Sequence, residues 1–134
     1  MIPFSLKIVT PDGVRFDAQA EELIVRTTTG DMGFLAGHTN CVAPLGMGRA
    51  TVVVDGQTRY AACIGGMVSV VDGAVFLVPT TFEWAGEIDV ARAERSYERA
   101  QTVLNNKKSS DTDILLAKAR SRRALVRKSV GTSK

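Results

Sequence analysis

Apolar and polar residues alternate through the first part of the chain. Phe4, Leu6 and Ile8 are separated by polar neighbours, and residues 22–28 centre on a run of apolar residues. A period of two is typical of strands with one buried face. Further short strands are predicted at residues 14–16, 51–54, 58–62, 67–71 and 74–78. So many short strands at near-regular spacing predict an antiparallel β-sandwich or a flattened barrel.

Turn residues separate these strands. Thr10-Pro11-Asp12-Gly13 combines a fixed φ at proline with a free φ at glycine, and residues 29–33 are expected to break the third strand. Asp55-Gly56 and Asp72-Gly73 favour the tight turns that match strand twist. Each of these two dipeptides therefore predicts a β-hairpin.

The period changes at Glu87. A helical stripe begins there, with apolar residues at Val90, Ala93, Tyr97, Ala100 and Leu104. Asp89 is expected to cap this helix. Residues 105–110 form a polar loop, Ser110 or Asp111 caps a second helix, and the stripe resumes at Ile114, Ala117, Ser121 and Ala124. The predicted fold class is therefore α+β, with a β-sandwich at residues 1–86 and an antiparallel helical hairpin at 87–134.

The seam of this hairpin is built from small side chains. Each buried alanine contributes about one methyl group, worth roughly 0.8 kcal/mol at most. Helices of this length are also only marginally stable alone in water. We therefore expect the hairpin to act as a switch that leaves its compact packing when a partner offers more burial. The alternative is a hairpin that stays permanently docked.

The chain has a formal net charge of +3, but this charge is distributed unevenly along it. Residues 1–106 carry 8 Lys/Arg against 12 Asp/Glu, whereas residues 107–134 carry 9 against 2. The start of the chain lacks the features of a secretory signal or transit peptide, and its apolar runs are too short to span a bilayer. We expect a soluble, intracellular protein with a basic tail.

The cysteines and the single histidine offer little chemistry. Cys41 and Cys63 are too few and too far apart for a disulfide framework, and both are expected to be small buried residues. His38 precedes Cys41 by three residues, but structural zinc needs about four ligands. No metal site is predicted.

Two other functional classes fit less well. A nucleic-acid-binding module would explain the basic tail, yet the β part is acidic and its aromatic residues are scattered. A hydrolase is disfavoured because the single histidine has no evident Ser/Asp or Cys partner arrangement. The nucleic-acid-binding module remains the principal alternative.

Three motifs in order carry a family resemblance. They are Gly30-Asp31-Met32-Gly33-Phe34-Leu35-Ala36-Gly37-His38, the Gly65-Gly66 turn, and Ile88-Asp89-x-x-Arg92-Ala93. Together with the two-part architecture they resemble the epsilon subunit family of bacterial F-type ATP synthases. The resemblance implies a non-catalytic subunit whose sandwich binds the gamma subunit and the c-ring. It also implies a hairpin that inhibits ATP hydrolysis when extended, and a peripheral position on the cytoplasmic side of the cell membrane through the complex.

The resemblance implies a regulatory ATP site and no required cofactor. In members that bind ATP, the segment matched by Ile88, Asp89, Arg92 and Ala93 holds the nucleotide with arginines from both helices. The corresponding residues here are Arg99 on the first helix and Arg122 and Arg123 on the second, with Glu83 at an acidic position before the motif. The alternative is that Asp89 caps the helix and pairs with Arg92 while the other arginines are solvated.

The remaining expected contacts also follow from the resemblance. Asp31 and His38 would lie near the gamma and c-ring contact, in a loop that has Ala36 where proline is commoner. A P-loop is excluded there because the Gly-Lys-Ser/Thr ending is absent; Met32, Phe34 and Leu35 would otherwise simply fill the sandwich. The basic tail would reach an acidic segment of the beta subunit, next to alpha, through Lys107, Lys108, Arg120, Arg122, Arg123 and Arg127.

Overall fold

The structure, a computed structural model, describes residues 1–132. The chain divides into two compact units, the first spanning Met1–Trp84 and the second beginning at Ala85. The last two residues of the predicted helical segment, Ser133 and Lys134, lie outside the described residues. The predicted order of a β-sandwich followed by two helices is confirmed.

The first unit is a sandwich of two five-stranded sheets. The strands are β1 (Phe4–Thr10), β2 (Gly13–Ala20), β3 (Glu22–Thr27), β4 (Gly30–Phe34), β5 (Cys41–Pro44), β6 (Met47–Val54), β7 (Gln57–Ile64), β8 (Met67–Val71), β9 (Ala74–Val78) and β10 (Thr81–Trp84). The first sheet has the order β2-β1-β9-β8-β5 and the second the order β10-β7-β6-β3-β4. Most neighbouring strands are antiparallel, but β1 and β9 run parallel, with Leu6 opposite Val75 and Ile8 opposite Leu77.

The predicted alternation places one face of each sheet in the core. Leu6 and Ile8 of β1 and Leu23 and Val25 of β3 are fully buried, as the period of two requires. The predicted Asp-Gly turns are also confirmed, because Asp55 and Asp72 have φ of 50° and 48° and the glycine after each is also left-handed. Positive φ at both central residues is the turn that matches strand twist.

The strand boundaries predicted from the sequence are wrong at residues 29–33, and two strands were not predicted at all. The expected break at residues 29–33 is mostly strand β4, which pairs with β3 along its whole length. Glycine has little strand propensity, and Phe34 is the single fully buried side chain of this segment, so the sequence carries no clear strand signal there. Pairing with β3 nevertheless holds the segment extended. Strands β5 and β10 were missed for a different reason, because each has only four residues.

The second unit is a helical hairpin. A short 3-10 turn at Ala85–Glu87 leads into α1 (Val90–Asn105), and α2 spans Asp111–Thr132. The Asp89 carboxylate accepts a hydrogen bond from the backbone N–H of Arg92 at 3.0 Å, which confirms the predicted N-cap. The Ser110 hydroxyl does the same for Asp113 at 3.1 Å. Within the described residues, no helix is long and apolar enough to cross a membrane.

The two cysteines differ in burial. Cys63 lies in the core of the sandwich as expected, but Cys41 is only partly buried on β5. The Cys41 sulfur lies 3.9 Å from Nδ1 of His38. Burial raises the pKa of the Cys63 thiol from 9.0 to about 12. The folded sandwich therefore holds this thiol neutral at pH values where the unfolded chain would ionise it.

We expect Cys63 to weaken the fold in alkaline solution. Its stabilising contribution is complete below the thiol pKa of the unfolded chain and is lost as pH rises toward the folded value of about 12. The loss should approach about 1.4 kcal/mol per pH unit in that window. Urea unfolding at increasing pH would measure it, with Cys63→Val as the matched control. An equally steep alkaline loss in Cys63→Val would contradict the assignment.

Candidate functional site

The seam between α1 and α2 consists of small side chains, as predicted. Its buried residues include Ala93, Ala100, Ala117, Ser121 and Ala124. Close approach of the helices lets Gln101 donate a hydrogen bond to the Ser121 hydroxyl at 3.1 Å. Glu94 and Lys128 form an ion pair at 2.6 Å. Glu94 lies near the start of α1 and Lys128 lies near the end of α2, so the two helices are antiparallel.

The end of α2 closes tightly on the start of α1. A Cβ atom on Gly131 would lie 2.6 Å from Cγ2 of Val90 and 3.1 Å from Cγ2 of Ile88. Ile88 and Val130 are both buried. Glycine is therefore required here for packing, and Ile88 and Ala93 of the motif are packing residues. We call this part of the hairpin, formed by Ile88, Val90, Val130 and Gly131, the root.

The polar residues of the motif face solvent. Asp89 and Arg92 are exposed, and the Asp89 contact is with the amide of Arg92. Capping explains this aspartate by itself, because its carboxylate satisfies a free N–H at the positive end of the helix dipole. An exposed carboxylate and guanidinium beside the root nevertheless remain accessible to a ligand.

A groove runs between the helices at the loop end of the hairpin. Its volume is about 730 Å³, and the buried Ala100 and Ala117 contribute to its lining. Three cations, Arg99, Lys108 and Arg120, line it against one carboxylate, Asp113. The other lining residues are Ser96, Val103, Asn106, Ser109 and Leu116. This combination of cations and hydrogen-bonding side chains suits a ligand with several negative charges.

Of the predicted arginines, Arg99 and Arg120 line the groove, and helix spacing shows which others lie on the same helix faces. Arg92 precedes Arg99 by seven residues and lies on the same face of α1. On α2, Arg123 and Arg127 follow Arg120 at steps of three and four, so they continue the groove face toward the root. Arg122 is two residues from Arg120, a rotation of about 200°, and therefore projects from the opposite side.

The structure thus brings some predicted residues to one helix face and places others on different elements. Glu83 lies on β10, in the first unit, whereas the motif and the arginines belong to the second. Lys107 is exposed in the loop and does not line the groove, unlike its neighbour Lys108. Asn106, Ser109 and Asp113 line the groove but were not singled out. The antiparallel packing brings the loop residues Asn106 and Ser109 and the first turn of α2, with Asp113, to the groove.

The predicted rotor-contact residues are on the sandwich. Asp31 lies on strand β4 and not in a loop, and its carboxylate pairs with Nε of Arg26 at 3.1 Å. The His38 ring packs on the buried Phe34 at 4.9 Å between centroids, and its Nδ1 is 2.8 Å from the Thr39 carbonyl oxygen.

The apolar residues of this segment divide between core and surface. Phe34 fills the sandwich and Met32 packs against it, as expected. Leu35 does not, because it is exposed beside Ile2 and Ala36 at a small apolar pocket.

An apolar face on the first sheet was missed by the sequence reasoning. Pairing aligns Val42 with Ser69, Ser69 with Phe76, and Met67 with both Pro44 and Val78. These side chains share the side opposite to the buried Val68, Val70, Val75 and Leu77. Val42 is 67% exposed and Val71 is 51% exposed. The outer face, defined by Val42, Pro44, Met67, Val71, Phe76 and Val78, is therefore a contiguous apolar surface.

Comparison with known proteins gives consistent matches along the whole chain. Residues 3–85 match the family described as "ATP synthase, Delta/Epsilon chain, beta-sandwich domain". Residues 87–130 match "ATP synthase, Delta/Epsilon chain, long alpha-helix domain". The ATP synthase epsilon chain of Ruminococcus albus is 40% identical, with 100% of both chains covered. That of Bacillus velezensis is 43% identical over 91% of this chain and 92% of its own.

Solved structures share the fold. A chain of the Euglena gracilis mitochondrial ATP synthase, in the structure of OSCP/F1/c-ring in rotational state 1, aligns with a TM-score of 0.84. It is 21% identical and covers 95% of this chain and 80% of its own. A chain from the central stalk and c-ring of the Tetrahymena thermophila enzyme aligns with a TM-score of 0.61 and 11% identity.

We expect Gly131→Ala to loosen the root. The added Cβ would collide with Val90 and press on Ile88, which should outweigh the helix propensity that alanine gains. Amide hydrogen exchange should then accelerate in the last turn of α2 and the first turn of α1. The double variant Gly131→Ala/Val90→Ala restores space and should recover protection. Unchanged exchange in Gly131→Ala would show that the root tolerates a methyl group.

Proposed function

The chain belongs to the ATP synthase delta/epsilon family, and we propose that it acts as the non-catalytic epsilon subunit in the central stalk of an F-type ATP synthase. The observation that carries the regulatory part of this proposal is a helical hairpin closed by a seam of alanines and flanked by a groove of cations. A nucleic-acid-binding module loses its basis, because the basic helices belong to the matched helical domain.

The outer face of the first sheet suits the gamma subunit. Exposed apolar side chains on a flat sheet gain burial when a partner covers them, at roughly 25 cal/mol per Å² of apolar surface. An exposed face of this kind is typical of a protein interaction site. We assign it to gamma because rotor assembly demands an interface that persists during rotation.

The c-ring contact is proposed on the surface around β4, which carries Asp31 near its start and is followed by His38 beyond its end. Asp31 presents a carboxylate beside Arg26, and Leu35 adds an exposed apolar side chain. Such a mixed polar and apolar surface suits the loops of a membrane ring. Association with the cell membrane, on its cytoplasmic side, would then occur only through the complex.

The hairpin is proposed to switch between compact and extended states. Its alanine seam supplies little burial per residue, so a partner can compete for α2. Leu115 and Leu125 are already exposed on α2 and offer apolar contacts. In the extended state the basic residues of the tail would meet an acidic segment of beta, near alpha, and inhibit ATP hydrolysis. These are Lys107, Lys108, Arg120, Arg122, Arg123 and Arg127.

ATP is proposed to stabilise the compact state by occupying the groove. Its phosphates would lie between Arg99 and Arg120, which line the groove, and Arg123 would approach them from the same face of α2. The base would lie toward the root, where Asp89 and Arg92 are exposed. Because the groove needs both helices, the extended state would lose it. ATP at ten times its dissociation constant would then favour the compact state by roughly 1.4 kcal/mol.

We expect Arg99→Ala and Arg92→Ala to weaken ATP binding, because each removes a cation from the groove face. A lost charge-assisted hydrogen bond should cost about 1.5–3 kcal/mol, or roughly ten- to a hundred-fold in affinity. Isothermal calorimetry on the full chain would measure this. Arg122→Ala is the matched control, since it removes the same group from the opposite side of α2.

Asp89 can be tested separately from its capping role. Asparagine also caps helices well, so Asp89→Asn should preserve the helix while removing the charge. If ATP affinity changes in Asp89→Asn without loss of helicity, the carboxylate contacts the nucleotide. Absence of ATP binding by the unmutated chain would remove this mechanism altogether.

We expect Phe76→Ser and Val42→Ser on the outer face to weaken binding to the isolated gamma subunit. Each replaces an exposed apolar side chain at the proposed interface with a polar one, and should cost about 1–2 kcal/mol, or roughly five- to thirty-fold in affinity. Surface plasmon resonance with immobilised gamma would give the dissociation constants. Leu115→Ser makes a comparable change on α2 and should leave binding by the sandwich unchanged. Equal affinities for all variants would place the gamma interface elsewhere.

A further inference from the structure

The polar contacts across the hairpin are unevenly placed. Near its middle, Gln101 donates to the hydroxyl of Ser121. Toward the root, the carboxylate of Glu94 meets Nζ of Lys128 at 2.6 Å. Glu94 directly follows the buried Ala93, and Lys128 precedes Gly131 by three residues. The ion pair therefore lies where α2 closes on the start of α1.

The ion pair lies in a region of excess positive charge. Between residues 85 and 132 there are eleven Lys/Arg against six Asp/Glu. Closing the hairpin brings the arginines of α1 toward those of α2, and like charges at short range oppose the compact state. Glu94 supplies an opposite charge to α2 within this basic region. Hydrogen bonding and the charge of Glu94 raise the pKa of Lys128, which agrees with a favourable contact.

We propose that Glu94 and Lys128 form an ionic latch that sets the ratio of the compact to the extended hairpin. The proposal rests on the proposed mobility of the hairpin and adds the contact that controls it. The alanine seam contributes little per residue, so even a modest ion pair changes the population. The latch also selects the register, because sliding α2 by one turn would separate the two charges by about 5.4 Å.

A charge swap tests the latch directly. Nitroxide spin labels at Ala91 and Thr132, both exposed, report the separation of the helix ends in a Cys41→Ser/Cys63→Val background of the full chain. Glu94→Lys and Lys128→Glu should each raise the extended-to-compact ratio about two- to five-fold, the range for an exposed ion pair. The double variant Glu94→Lys/Lys128→Glu should return to the original ratio, because the pair is rebuilt with its charges exchanged.

Two further variants control for net charge. Glu98→Lys makes the same charge change one turn along α1, and Lys118→Glu does so on α2 nearer the loop. Each should change the ratio by clearly less than its counterpart at the latch. Circular dichroism would verify that the helices persist in every variant.

The outcomes separate the latch from the mobile hairpin. Additive effects, with the double variant as open as the sum of the single ones, would overturn the latch while leaving the switch intact. Equal effects at Glu94 and Glu98 would also overturn it, since net charge alone would then govern opening. One short label distance in every variant, with gamma and beta added, would instead overturn the mobile hairpin.

Discussion

The alanine seam is the constraint on which the second unit depends. Ala93, Ala100, Ala117 and Ala124 let the two helices approach closely, but each buries about one methyl group, worth roughly 0.8 kcal/mol. The sandwich, in contrast, buries whole Leu, Ile, Val and Phe side chains between its sheets. The same chain therefore contains a unit with a substantial core and a unit held by marginal packing, which is the requirement for a rigid body with a mobile attachment.

Small residues also create the groove. Because the side chains of Ala100 and Ala117 are short, they leave space between the helices. The cations that line this space surround a volume large enough for a ligand. Larger seam residues would strengthen the hairpin and fill the groove at once. In the proposed function, weak packing and ligand binding thus have a common origin, because a ligand that bridges the helices would supply the adhesion that the seam lacks.

The sequence predicted the features that depend on local residue patterns. The period of two gave the buried faces of β1 and β3, the Asp-Gly pairs gave two hairpins, and Asp89 and Ser110 gave the helix starts. It could not give the parallel pairing of β1 with β9, since this depends on residues about seventy positions apart. The outer apolar face escaped for the same reason, because Val42, Met67 and Phe76 are neighbours only through strand pairing.

The arginines show how far helical spacing extends and where it stops. The sequence analysis chose Arg122 and Arg123 together. The rotation of about 100° between successive helical residues separates them and places Arg123 on the same face as Arg120 and Arg127. Spacing could not have found Glu94 and Lys128 as partners, because their contact depends on the loop length and on how closely alanines bring the helices. A basic hairpin must offset its own repulsion, so a single cross-helix carboxylate has more influence here than in a neutral bundle. In the proposed switch, the balance between the open and closed states would therefore be set by individual contacts and not by the bulk of a core.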